Sequence, residues 1–141
     1  YNYSNNNIND AAEPIPDYLE TLTQDCKDIC SELGLSNSDY TFNQCILNNY
    51  MPGQGISAHI DVRSYGDVIC CYTVGSGAKM RFKKENLIQD IYVEPNSLYI
   101  MSGEARKTWT HEMSGLKSDV VLGKRIKRDR RISITFRNVH N

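Results

Sequence analysis

The stretch Asn48-Asn49-Tyr50-Met51-Pro52-Gly53-Gln54-Gly55-Ile56-Ser57-Ala58-His59-Ile60-Asp61 decides how the chain is read. Pro52-Gly53 is a turn signal, and an extended run over Ser57–Ile60 follows it. On a strand, side chains two apart point to the same side. His59 and Asp61 therefore face one way together. A second imidazole from elsewhere in the chain would complete two nitrogens and one carboxylate on one face of a metal. That donor set leaves open positions and is associated with non-haem Fe(II) oxygenases.

Outward from that stretch the chain changes character twice. Tyr18, Leu19, Leu22, Cys26, Ile29, Cys30 and Leu33 recur at three- and four-residue intervals, which predicts one apolar stripe on a helix over 17–33. Gly34 closes it, and Leu35 is placed to fold back on its last turn. From Thr41 the pattern turns to short β-rich segments: Phe42–Asn48, Ser57–Ile60, Val68–Val74, Ala78–Phe82, Ile91–Val93, Ser97–Met101, Thr108–Glu112 and Arg131–Arg137. Val68–Val74 is nearly all apolar and reads as a strand covered on both faces. Residues 115–123 show no periodicity and read as a loop. The fold class is mainly β, a double-stranded β-helix (jelly roll) over 41–138 behind a supporting N-terminal α-helix.

With 141 residues and 40% hydrophobic content, the chain is read as one globular domain, 1–141. No apolar run is long enough to span a membrane. Tyr1 is followed by no secretory or transit signature, so the chain reads as an excised domain. Five cysteines without zinc-finger spacing argue for reduced thiols and an intracellular setting, cytoplasmic or nuclear. A monomer is expected. The net charge of −1 conceals an asymmetry: residues 103–141 carry 10 basic and 4 acidic side chains. The run Lys124 to Arg131 dominates it and reads as a basic loop, solvated or in contact with phosphate.

Four separated motifs occur in a fixed order: Asn48-x-Tyr50-x-Pro52-Gly53; His59-x-Asp61; Gly103-Glu104-Ala105-Arg106 ahead of Trp109-Thr110-His111; and Arg131-x5-Arg137. Together they resemble the AlkB family of Fe(II)/2-oxoglutarate dioxygenases acting on nucleobases, and within it the eukaryotic tRNA-hydroxylase branch. The resemblance covers Asn43 to Val139. It implies His59, Asp61 and His111 as the catalytic metal ligands, and Fe(II), 2-oxoglutarate and molecular oxygen as reactants. It implies Arg131 as the partner of the distal carboxylate of 2-oxoglutarate, supported by Asn48 and Tyr50, since a guanidinium is a two-pronged donor that stays charged. Arg137 would steady the iron-proximal carboxylate or touch the substrate. Tyr1-Asn2-Tyr3, within a polar segment over 1–13, looks like the remnant of a substrate lid, with Tyr3 able to stack on a base.

The family's bacterial repair enzyme carries an Asp two residues after the metal Asp, where this chain has Arg63. A donor there suits a carbonyl-rich base such as uracil, or a carboxymethyl group, better than methyladenine; an equal reading puts Arg63 on the surface as a phosphate contact. The resemblance thus implies oxidation of a modified or alkylated nucleobase, by uridine hydroxylation in tRNA or by oxidative demethylation, with RNA ahead of DNA. Two other readings are a hydroxylase of a protein or small molecule and a non-catalytic jelly-roll binding module. Trp109 is expected in the core behind the metal, and His140, the third histidine, in the tail.

Overall fold

The computed structural model describes residues 13–139. Tyr1, Tyr3 and His140 lie outside them. After a 3-10 turn at Asp17–Leu19 comes helix α1 (Glu20–Glu32). It ends as its sequence dictates: Gly34 takes φ +67°, and the Leu35 amide donates to the Cys30 carbonyl at 2.8 Å. Tyr18 and Leu33 lie just beyond the two ends of α1 and are exposed, so the apolar stripe is shorter than the spacing suggests.

Ten strands and a second short helix follow: β1 (Gln44–Tyr50), β2 (Ile56–His59), β3 (Ile69–Gly75), β4 (Ala78–Lys84), β5 (Leu87–Val93), β6 (Ser97–Met101), α2 (Gly103–Lys107), β7 (Thr110–Met113), β8 (Ser118–Val121), β9 (Lys124–Lys127) and β10 (Arg131–Arg137). Two four-stranded antiparallel sheets, in the orders β1-β10-β3-β6 and β2-β7-β4-β5, make the jelly roll. Strand β10 lies between β1 and β3, with Tyr50 opposite Arg131 on one side and Thr73 opposite Ser133 on the other.

The two faces of β10 explain the layers. Ile134 and Phe136 are buried with Leu19, Cys26 and Cys30 beneath α1. The other face carries Arg131, Ser133, Thr135 and Arg137, which turn inward between the sheets. A second cluster, Ala78, Met80, Val93 and Met113, closes the same space and is packed against Tyr50, Phe82 and Tyr99. Strand β3 is covered on both faces: Cys70 joins the cluster under α1, while Cys71 meets the hydroxyl of Thr135. None of the five cysteines forms a disulfide, and Cys30 Sγ lies 3.4 Å from Cys70 Sγ.

Residues 115–123 are not simply a loop. They enter the hairpin β8–β9, whose two-residue turn puts Leu122 and Gly123 at φ +49° and +77°. Its base is held by Asp119 and Arg128, both buried and paired bidentately at 2.7 and 2.8 Å; Arg128 also donates to the Ser114 carbonyl. The basic run is therefore not one patch. Arg128 is structural and Arg131 faces the interior, while Lys124, Arg125, Lys127 and Arg130 stay exposed. Trp109 precedes β7, is half-buried, and belongs to none of the core clusters among the described residues. No described helix is long and apolar enough to cross a membrane.

Removing one member of a buried ion pair strands the other charge without a partner. Asp119→Ala should cost about 3–5 kcal/mol in urea unfolding, and Asp119→Ala with Arg128→Met should recover most of it. A single-variant loss under about 1 kcal/mol would show the pair contributes little.

Candidate active site

The cavity between the sheets takes polar side chains from both layers. From the first sheet come Asn48 and Tyr50 of β1, Tyr99 of β6, and Arg131, Ser133, Thr135 and Arg137 of β10. Opposite them stand His59 at the end of β2, Asp61 just beyond it, Met80 of β4, and His111 and Met113 of β7. His59 and His111 are register partners in the β2–β7 ladder, which brings the two imidazoles to 4.3 Å between ring centres. Gly55 makes that pairing possible: a Cβ there would run into the Met113 carbonyl and the Gly115 amide.

Asp61 is the hub. It is 6% exposed, and its Oδ1 lies 3.2 Å from His59 Nε2 and 3.4 Å from His111 Nε2. Its Oδ2 accepts from Arg137 Nη2 at 2.7 Å. Burial pushes the Asp61 carboxyl up, but the hydrogen bond from His59 and the charges of Arg137 and the imidazoles outweigh it and hold it at about 2. The hydrogen bond to Asp61 raises His59, against its burial. Burial, reinforced by the neighbouring His59, pushes His111 down to about 4, so His111 is a neutral imidazole at physiological pH.

His59 Nδ1 meets the Ser57 carbonyl at 2.7 Å, which makes Nδ1 the donor and leaves Nε2 facing Asp61. Once His59 Nε2 gives up the proton it shares with Asp61, three lone-pair donors converge, with ligand atoms within 4.8 Å of one another. Lone pairs that face each other require a cation or a proton between them. The donor set fits a divalent first-row metal such as iron, and the ring stack of Phe82 on His111 at 6.0 Å fixes one ligand's plane.

Arg131 is 4% exposed, donates to Thr73 Oγ1 at 3.0 Å, and stands over the Tyr50 ring at 5.6 Å. Arg137 stands over the Tyr65 ring at 4.4 Å. Arg131 Nε and Arg137 Nε and Nη1 are buried and make no hydrogen bond within the protein. Leaving buried donors of a cation unpaired is costly, so these atoms call for an acidic ligand. Among the described residues Asp61 is the only carboxylate lining the cavity, against the two guanidiniums of Arg131 and Arg137.

Of the residues singled out in the sequence, His59, Asp61, His111, Asn48, Tyr50, Arg131 and Arg137 all line this one cavity. Arg63 does not line it: it is exposed on the 3-10 turn Arg63–Tyr65 that follows Asp61. Thr73, Tyr65 and Tyr99 were not picked out for the site from the sequence, and Arg106 was quoted there only as part of a motif, without a role. Ser133 and Thr135 were legible by their two-residue alternation with Arg131 and Arg137, whereas Thr73 sits in an apolar run and gives no signal.

The family model described as the 2OG-Fe(II) oxygenase superfamily matches residues 1–137. An uncharacterized protein of Acanthamoeba polyphaga mimivirus is 45% identical over 101 residues, covering 69% of this chain and 48% of that protein. The tRNA (carboxymethyluridine(34)-5-O)-methyltransferase alkbh8 of Xenopus tropicalis is 33% identical over 159 residues, covering 100% of this chain and 25% of that protein. The chain thus spans about half of the first of these relatives and a quarter of the second. The solved structure of OsALKBH1 superposes with a TM-score of 0.64 at 19% identity, over 88% of this chain and 66% of that one, which is a likeness of fold.

Added Co(II) should bind the three donors and raise the unfolding midpoint by roughly 5–10 °C at a hundredfold excess over its dissociation constant. His111→Ala should abolish the increment, read by thermal scans with and without metal; an undiminished increment would place the metal elsewhere.

Proposed function

This chain belongs to the 2OG-Fe(II) oxygenase superfamily, with relatives named as AlkB homologues, and from that membership we propose that it oxidises a modified base in RNA. One observation carries the reading: Arg131 and Arg137, whose guanidiniums keep buried nitrogens without a partner in the protein, line the same cavity as His59, Asp61 and His111. A metal alone does not require them. An acidic co-substrate beside a metal does.

In this proposal His59 Nε2, His111 Nε2 and one Asp61 oxygen hold Fe(II). Bound together, Fe(II) and 2-oxoglutarate supply the means for O2 to convert a C–H bond to C–OH, with succinate and CO2 as the other products. The remaining work belongs to the chain. Arg131, steadied by Thr73 and the face of Tyr50, receives the distal carboxylate, with Asn48 and the Tyr50 hydroxyl as further donors. Arg137 keeps Asp61 oriented and offers its free donors to the carboxylate nearer the metal. Met80 and Met113 line the cavity and shield it from water, which protects a reactive centre from side reactions.

A nucleobase substrate is supported by the relatives, whose names include a tRNA methyltransferase and, in Arabidopsis thaliana, an alkylated DNA repair protein ALKBH8 homolog. Such a base must be unstacked or come from a single-stranded loop. Arg63, on the turn next to Asp61, is an exposed donor that suits a carbonyl-rich base or an appended carboxylate, and favours modified uridine. The hydroxyl then stays on carbon. Were the oxidised carbon attached to nitrogen, it would leave as formaldehyde.

Incubation with Fe(II), 2-oxoglutarate and either tRNA or methylated oligonucleotides separates these outcomes. The expected result is succinate with a 16 Da gain on a uridine and no formaldehyde. Formaldehyde from methyladenine would overturn the uridine preference, and succinate with no change in any nucleic acid would overturn the substrate class. Arg131→Lys should raise the KM for 2-oxoglutarate by about tenfold or more, the loss of a bidentate partner.

A further inference from the structure

Arg106 is 3% exposed and reaches from α2 into the segment that follows the metal-facing carboxylate. All three of its donor nitrogens are used, and all on backbone carbonyls of that one segment. Nη1 donates to Asp61 O at 2.9 Å, Nη2 to Val62 O at 2.7 Å, and Nε to Gly66 O at 3.0 Å. The segment's first and last residues are thereby tied to one rigid planar group. Between them the chain turns through Arg63–Tyr65, and the buried Tyr65 ring lies against the Arg137 guanidinium, which in turn holds Asp61 Oδ2.

We propose that Arg106 is the positioning residue of the metal centre: it fixes the Asp61 backbone directly and the Asp61 carboxylate through Tyr65 and Arg137. This rests on the reading of Asp61 as a metal ligand. The geometry forms a closed circuit. Arg106 sets the 61–66 turn, the turn presents Tyr65, Tyr65 backs Arg137, and Arg137 aims Asp61 so that Oδ1 meets both imidazoles. A lysine cannot reproduce it, because one ammonium has no planar fork to span carbonyls five residues apart. Partners one shell removed from a metal tune its affinity by about 10–100-fold.

The test is titration of purified protein with Co(II) alone, read by its visible absorption, alongside circular dichroism and thermal unfolding. Arg106→Lys is expected to bind Co(II) about 10–100-fold more weakly than wild type with its secondary structure intact. A control of similar thermal loss, Phe42→Leu in the core under α1, is expected to bind as wild type. Wild-type affinity in Arg106→Lys, or equal weakening in the control, overturns the proposal. If the lysine variant does not fold, Tyr65→Leu carries the test, and unchanged Co(II) affinity there overturns it. Absence of Co(II) binding by the wild type itself would sink the reading of the triad and this inference with it, a result distinct from any confined to the variants.

Discussion

A carboxylate withdrawn from water must be held by more than one partner, and Asp61 has them on every side. Arg137 takes one oxygen, two imidazoles face the other, and Arg106 takes the backbone carbonyl behind it. Burying an ion of that size is expensive unless its remaining lone pairs are met. The surroundings of Asp61 meet them from four different elements, so β2, β7, β10 and α2 must all be in register before the site exists. The local stability of the metal-facing segment and the competence of the site are one property.

Strand β10 converts that constraint into an architecture. A strand between two neighbours, covered on both faces, is normally apolar on both. Here Ile134 and Phe136 join the core under α1, while Arg131, Ser133, Thr135 and Arg137 line the opposite side. The sandwich can accept such a polar face only because a ligand space, rather than packed side chains, lies against it. The aromatic faces of Tyr50 and Tyr65 under the two guanidiniums soften the cost of their burial. Filling that space with aliphatic side chains would give a more stable jelly roll with no chemistry.

Much of this was written into short-range sequence rules, and some of it was not. The period of two put His59 with Asp61, and Arg131 with Arg137, on common faces, and Gly34 with Leu35 marked the end of α1. What local rules could not supply was long-range partnership. The hairpin β8–β9 has no alternating apolar face because it does not lie on the core; it is secured by the Asp119–Arg128 pair, nine residues apart, and turns on Leu-Gly rather than Asn-Gly. In a run of basic residues nothing local distinguishes Arg128, which is buried in an ion pair, from Arg125 in solvent. Thr73 was likewise silent, and Arg106 stood in the Gly103-Glu104-Ala105-Arg106 motif with no role legible, since a hydroxyl in an apolar strand and an arginine in a five-residue helix acquire meaning only from what faces them across the fold.

The most direct test of the account is anomalous diffraction from crystals grown without oxygen in the presence of Mn(II) and 2-oxoglutarate. The account predicts one strong metal peak bounded by His59, Asp61 and His111, with the dicarboxylate extending from it to the Arg131 guanidinium. A peak outside that triad, or a dicarboxylate bound with its far end away from Arg131, would contradict it.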